Sequence, residues 1–251
     1  MQLEQDPDSS WVARLADCSV ALAARSIREA AEDQRLFRHL TDEHAREGRA
    51  SYIEIDAPLE LYALARILRP RHVVEVGVSS GVSSAYLLRA LERNGSGTLH
   101  SVDLPKRPPR RGPPSRRSWS LPPGRESGWA VPFYLRKRWD LRLGDKRDVL
   151  PLLAEELDRI GLFVYDVPHE DRRSYREFLG LDARLPRGSV AIVDHGPGGE
   201  LCEALARWAR RRGASPIGRT GLGLFGFRCG RAVGQPRTVD GSTSRSGTCR
   251  A

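Results

Sequence analysis

The chain has 251 residues, 39% of them hydrophobic and 29% charged, which suits one mid-sized α/β domain with additions and a very polar surface. No apolar run approaches the ~20 residues of a membrane span. The start M-Q-L-E-Q-D-P-D-S-S lacks the basic and apolar regions of a secretory signal, so a cytoplasmic protein is expected. A net charge of +9 points towards nucleic acid, but residues 104–138 hold ten basic residues against Glu126 alone and carry the whole excess, so the basic character belongs to one inserted loop.

Residues 10–48 show helical spacing. Trp11, Leu15, Cys18 and Leu22 recur at steps of four, three and four, and Ala23, Ile27, Ala30, Phe37 and Leu40 continue the stripe. This predicts an N-terminal extension over residues 1–50, made of two helices that pack on the core or serve a partner. A further helix is expected over 56–69, capped near Asp56 and ended by Pro70.

From there strands and helices alternate. Strands are expected at 73–76, 98–103, 140–143, 162–166 and 189–194, and helices at 82–93, 146–159, about 169–183 and about 199–212. Residues 215–229 read as an antiparallel C-terminal hairpin that closes the sheet. The predicted fold is α/β and Rossmann-like: a seven-stranded, mostly parallel sheet with helices on both faces and added N-terminal helices. The domain spans 51–230, and the tail 231–251 has no apolar period and is expected to be disordered.

The insertion 104–138 has two characters. Residues 105–123 hold seven prolines and cannot form a regular element. Residues 124–139 carry Trp129, Phe133, Tyr134 and Trp139, too apolar for a solvated linker, and read as a folded lid. The four cysteines, Cys18, Cys202, Cys229 and Cys249, form no C-x-x-C pair and read as isolated thiols of a reducing compartment.

The chemistry gathers at the carboxyl ends of the strands, where open α/β sheets bind ligands. The turn Gly77-Val78-Ser79-Ser80-Gly81 follows a strand and opens a helix, so its glycines admit close approach and the helix start offers free N–H groups. Ser79 stands where a dinucleotide fingerprint has its second glycine, which disfavours a diphosphate. Ser79, Ser80, Ser83 and Ser84 offer hydroxyls suited to a smaller polar group such as an amino-acid carboxylate. Asp103 ends the next strand, 22 residues after Gly81, and an acid there can accept both hydroxyls of a ribose. Gly144-Asp145, Asp166 and Asp194-His195 end the following strands. Asp166, Asp194 and His195 could hold one divalent ion, Mg2+ or another metal, and His169 lies one helical turn after Asp166, where it could serve as a general base.

These segments resemble the class I S-adenosylmethionine-dependent methyltransferases, and more narrowly the bacterial small-molecule O-methyltransferases of the methyltransferase domain 24 type. The resemblance rests on Y-A-L-A-R (62–66), P-R-H-V-V-E-V-G-V-S-S-G-V-S-S-A (70–85), G-T-L-H-S-V-D-L-P (97–105), S-G-W-A-V-P (127–132) and L-R-K-R-W-D-L-R-L-G-D (135–145), and runs from about 52 to 228. It implies that Glu75, Gly77, Ser79, Gly81 and Ser83 surround the methionine part of S-adenosylmethionine, that Asp103 binds the ribose, that Gly144 and Asp145 lie at the adenine, and that Asp166 closes the pocket near the reacting methyl. It implies His169 and Asp166 as catalytic residues, Trp129 and Phe133 as a lid over the acceptor, and a metal at Asp166, Asp194 and His195. Relatives often read H-D-S-x-H-T where this chain has Y-D-V-P-H-E (165–170), and D-D or D-N where it has Asp194-His195. The expected partner is a small-molecule hydroxyl acceptor, with homo-oligomerisation open and nucleic acid and membrane disfavoured. Two other readings stand beside it: a nucleic-acid methyltransferase or binder that uses the Arg-rich loop, and a catalytically silent cofactor-binding scaffold.

Overall fold

The computed structural model describes residues 7–47, 57–104, 121–167, 171–194, 200–219 and 222–230. His169, His195, Asp56, most of the proline-rich stretch and the tail therefore lie outside the described residues. The N-terminal region forms three helices rather than two: α1 (Ser9–Ala16), α2 (Val20–Ala31) and α3 (Gln34–Arg46). Local chemistry makes both breaks. Asp17 takes a left-handed conformation (φ 56°) that ends α1, and Ser19 then caps α2 by accepting from Leu22 N. Asp33 caps α3 in the same way, accepting from Leu36 N at 3.1 Å. Pro58 opens α4 (Pro58–Leu68), where its missing N–H costs nothing.

The core alternates as the sequence suggests: β1 (His72–Val76), α5 (Val82–Asn94), β2 (Thr98–Asp103), a 3-10 turn over Phe133–Arg138, β3 (Trp139–Leu143), α6 (Lys146–Glu156), β4 (Ile160–Tyr165), α7 (Asp171–Asp182), β5 (Val190–Asp194), α8 (Glu203–Arg211), β6 (Ile217–Gly218) and β7 (Leu224–Arg228). The strand order is β3-β2-β1-β4-β5-β7-β6. The first five strands are parallel, and β7 runs antiparallel to both β5 and β6.

Strand parity divides the interior into two layers. Val73, Leu99, Leu162, Val164, Val190 and Ile192 face α1 to α5, while Val74, Val76, Phe163, Tyr165, Ala191 and Val193 face α6, α7 and α8. By the same parity Glu75 points with Val73 into the apolar layer beneath α5. The N-terminal helices are part of this core. Trp11 and Leu15 are buried, Trp11 Nε1 donates to Ile217 O at 2.9 Å, and Arg228 Nη1 reaches the carbonyls of Leu15 and Ala16. Thus α1 locks the hairpin edge of the sheet. Among the described residues no helix is long and apolar enough to cross a membrane, and Cys18 and Cys229 are free thiols.

At the amino end of the sheet, His72 Nδ1 faces His100 Nε2 at 3.0 Å, and His100 Nδ1 faces Asp140 Oδ2 at 2.9 Å. Burial, and after it the neighbouring His100, pushes the His72 pKa below its ordinary value, with Asp158 opposing. The unfolded chain then binds more protons at this position, so the stability linked to neutral His72 is lost as pH falls. Relative to His72→Gln, the unaltered chain should lose unfolding free energy as pH falls below about 6.5 in urea titrations.

Candidate active site

The turn between β1 and α5 is fixed by sterics before any ligand is considered. Gly77 has φ +94°, and a Cβ placed there would lie 2.0 Å from the carbonyl oxygen of Asp166. Its N–H donates to Val102 O at 2.9 Å, and Asp166 N–H donates to Val76 O at 2.8 Å, so the ends of β1, β2 and β4 meet at this residue. Ser79, at φ 49°, sits in the left-handed region without being glycine, a conformation that costs about 1 kcal/mol. Its N–H donates to Asp103 Oδ2 at 3.0 Å, which joins the turn to the end of β2. Leu104 N–H takes Asp103 Oδ1 at 2.8 Å. An ionised carboxylate has about four acceptor positions, so these two bonds leave room for two outward-facing donors on a half-buried Asp103.

Glu75 lies directly below this turn. It is 0% exposed, and its carboxylate accepts from Ser83 Oγ (2.6 Å), Ser84 Oγ (2.6 Å) and Ser101 Oγ (2.7 Å). Ser101 is its register partner on β2, and Ser83 and Ser84 form the first turn of α5. Burial pushes the Glu75 pKa up, and the three hydroxyls pull it back only in part. The Ser83 and Ser84 hydroxyls, which the sequence suggests for a ligand carboxylate, are thus donated to Glu75. The reason is parity: a strand acid under the helix start needs donors, and the helix supplies them. Ser101 Oγ in turn accepts from Trp139 Nε1 at 2.9 Å.

Trp139 carries the network into the lid. A Cβ on Gly128, at φ +73°, would come within 2.1 Å of Trp139 Cη2, so the backbone at 128 rests on the indole. From there Gly128 N–H donates to Ser79 O at 2.8 Å and Ala130 N–H donates to Ser80 O at 2.9 Å. The second turn glycine serves this docking as well: a Cβ on Gly81 would lie 2.6 Å from Val131 Cγ2 and 2.9 Å from Gly128 Cα. Trp129 is half-buried, its ring 4.9 Å from that of His44, whereas Phe133 is 88% exposed on the 3-10 turn.

The remaining strand ends complete the edge. Asp145 caps α6 by accepting from Arg147 N at 2.9 Å, and the Arg147 guanidinium holds its carboxyl well below the usual range. Gly144 N–H donates to Asp103 O at 2.8 Å, which sets β3's end beside β2's. Tyr165 is buried just before Asp166. Its hydroxyl donates to Glu177 Oε2 at 2.6 Å and meets Lys146 Nζ, which pairs with Glu177 at 2.9 Å, so α6 and α7 pin the end of β4. The β4–β5 register ends at Tyr165 and Val193, and Asp166 and Asp194 are the next residues along the two chains. Among the described residues no group of three or more His, Cys, Asp or Glu could hold a metal ion.

The structure therefore brings Gly77, Ser79, Gly81, Asp103, Gly144, Asp145, Asp166 and Asp194 to one edge, with Glu75 and Ser83 beneath it. His44 and Ser101 had no place in the predicted site, and Gly128, Val131 and Trp139 were expected only as parts of the lid. Ser101 had a signal, being directly across from Glu75 once β1 and β2 pair. His44 had none, because only the tertiary fold brings α3 to the turn.

Glu75→Ala would leave three buried hydroxyls without their acceptor and should lower unfolding free energy by about 3–5 kcal/mol. Glu75→Gln keeps an acceptor and the volume and should cost less than half of that. Because the folded-state pKa is raised, the unaltered chain should gain on Glu75→Gln at acid pH and lose that advantage as pH rises above about 4.5. Denaturant titrations of the three proteins across pH check both statements.

A family model described as a methyltransferase domain (Methyltransf_24) matches residues 74–195. No curated protein matches the chain. Among solved structures, the O-methyltransferase TomG from Streptomyces achromogenes, involved in tomaymycin synthesis and solved with SAM, is 18% identical, with a TM-score of 0.52 over 83% of this chain and 96% of that one. A methyltransferase from Geobacter sulfurreducens is 20% identical, with a TM-score of 0.51 over 78% and 91%. The O-methyltransferase from Bacillus cereus, solved with SAH, is 18% identical, with a TM-score of 0.50 over 80% and 92%. At these identities the likeness shows a shared fold. Strand order, glycine turn and matched segment agree: residues 74–195 match the methyltransferase-domain family model, and the chain shares the Rossmann-like fold of these methyltransferases.

Proposed function

We propose that the chain binds S-adenosylmethionine and methylates a hydroxyl of a small molecule. The observation that carries this reading is the Ser79 N–H···Asp103 bond, which fixes a carboxylate at the end of β2 with acceptor positions to spare, next to a turn that only a positive-φ backbone can make. The site's features fit the cofactor's parts. Asp103 accepts the two ribose hydroxyls. The first turn of α5, opened by the positive-φ turn at Gly77–Gly81, gives the amino-acid end the N–H groups of a helix start. Gly144 and the backbone of Asp145 lie at the adenine. The complexes of TomG with SAM and of the Bacillus cereus enzyme with SAH support this assignment by shared fold.

When bound, S-adenosylmethionine supplies an electrophilic methyl group on a sulfonium. The protein's part is alignment, exclusion of water and removal of the acceptor's proton. Asp166, held by its backbone bond to Val76 and following the pinned Tyr165, is assigned the orientation of the acceptor near the methyl. His169, three residues on, is assigned the proton, and Trp129 and Phe133 the cover over the acceptor. Asp166 and Asp194, at the ends of neighbouring strands, would offer carboxylate oxygens suited to a hard divalent ion, to which His195 would add a nitrogen.

Asp103→Ala should remove S-adenosylhomocysteine binding in calorimetry while the fold, followed by circular dichroism, is kept; undiminished affinity would contradict the ribose assignment. If Asp166, Asp194 and His195 hold a metal, EDTA should abolish methyl transfer and added Mg2+ should restore it. Turnover indifferent to EDTA would assign the two aspartates to the acceptor alone.

A further inference from the structure

The helix α3 lies outside the segment that matches the family model, yet it grips the glycine turn. His44 is buried, its Nδ1 2.7 Å from Leu40 O and its Nε2 3.2 Å from Ser80 Oγ. A carbonyl only accepts, so Nδ1 carries a proton and, in the neutral ring, Nε2 accepts from the Ser80 hydroxyl. The same helix holds the lid. His39 Nε2 lies 3.2 Å from Ala130 O, the His44 ring packs at 45° to the Trp129 indole, and Arg125 pairs with Glu47 at 2.6 Å and with Glu43 at 3.8 Å. The Arg125 guanidinium lies 5.0 Å from the Trp129 ring. One helix thus meets both sides of the turn–lid contact, and its grip on the turn is the side chain of His44.

We propose that His44 is a positioning residue for cofactor binding. It touches no cofactor atom. It holds Ser80, and so the neighbouring Ser79, whose left-handed conformation presents the N–H to Asp103 and the carbonyl to Gly128. A turn with one non-glycine residue at positive φ relaxes unless its neighbours over-determine it. Here the lid fixes it through two backbone bonds, Asp103 through one, and α3 through one side chain. Cofactor affinity therefore depends on a residue of the N-terminal helices. This rests on the S-adenosylmethionine reading of the site.

The test is calorimetry of S-adenosylhomocysteine binding to the full chain, with thermal unfolding measured in parallel. His44→Ala should weaken binding about tenfold, the effect of one buried hydrogen bond. His44→Gln, whose Oε1 can accept the Ser80 hydroxyl, should recover most of the loss. Ser80→Ala should weaken binding by at least that factor, and the double variant His44→Ala/Ser80→Ala should bind no worse than Ser80→Ala, because the His44 contact is already lost there. If His44→Ala does not fold, Ser80→Ala and His44→Gln still decide the matter. Unchanged affinity in His44→Ala or Ser80→Ala, equal loss in the Gln and Ala variants, or additive losses in the double variant would overturn the assignment while the cofactor reading stands. No binding by the unaltered chain would overturn the cofactor reading and this assignment together.

Discussion

A carboxylate buried under the start of a helix governs this site. Glu75 is fully enclosed in an otherwise apolar layer, where an unpaired charge would be ruinous. It is tolerable because three hydroxyls converge on it from β2 and α5. Those bonds fix three things at once: the pairing of β1 with β2, the start of α5 and, through Ser101, the orientation of Trp139. The position of the acid follows from the period-two rule for strands, since Val73 and Glu75 share a face.

The rest of the site hangs from that arrangement. Trp139, held by Ser101, supports Gly128. Gly128 and Ala130 then bond the carbonyls of Ser79 and Ser80, and Gly81 is small because Val131 and Gly128 need the space. On the other side Asp103 takes the Ser79 N–H. The turn is thereby held in one conformation by the protein itself. A ligand that seats on such a turn would meet a formed surface and lose little affinity to ordering it. In such a site the lid works first as a wall behind the turn. The serines that looked like ligand donors become supports for an internal acid.

Much of the fold was legible because its signals are local. Short valine-rich runs separated by amphipathic segments give the strands and helices, and Asp103 and Asp166 at strand ends mark the edge where ligands bind. The N-terminal helices were misjudged as two because their apolar stripe runs through the break; the break lies in single residues, Asp17 in the left-handed region and Asp33 as a cap. The roles of Gly81, Gly128 and His44 could not be read, since each depends on a contact between segments distant in the chain. Glu75 was visible as an acid in a strand, but its satisfaction by Ser83, Ser84 and Ser101 needs the helix and the neighbouring strand to be placed first.

The account holds that the turn, Asp103 and the end of β3 form one preformed pocket for S-adenosylmethionine. A crystal structure with S-adenosylhomocysteine tests this most directly. The account predicts the ribose hydroxyls on Asp103, the amino-acid end against the Gly77–Gly81 turn and the adenine beside Gly144 and Asp145, with Glu75 still bonded to its three serines. A ligand seated elsewhere, or a turn that must rearrange and free Glu75 to admit it, would contradict the account.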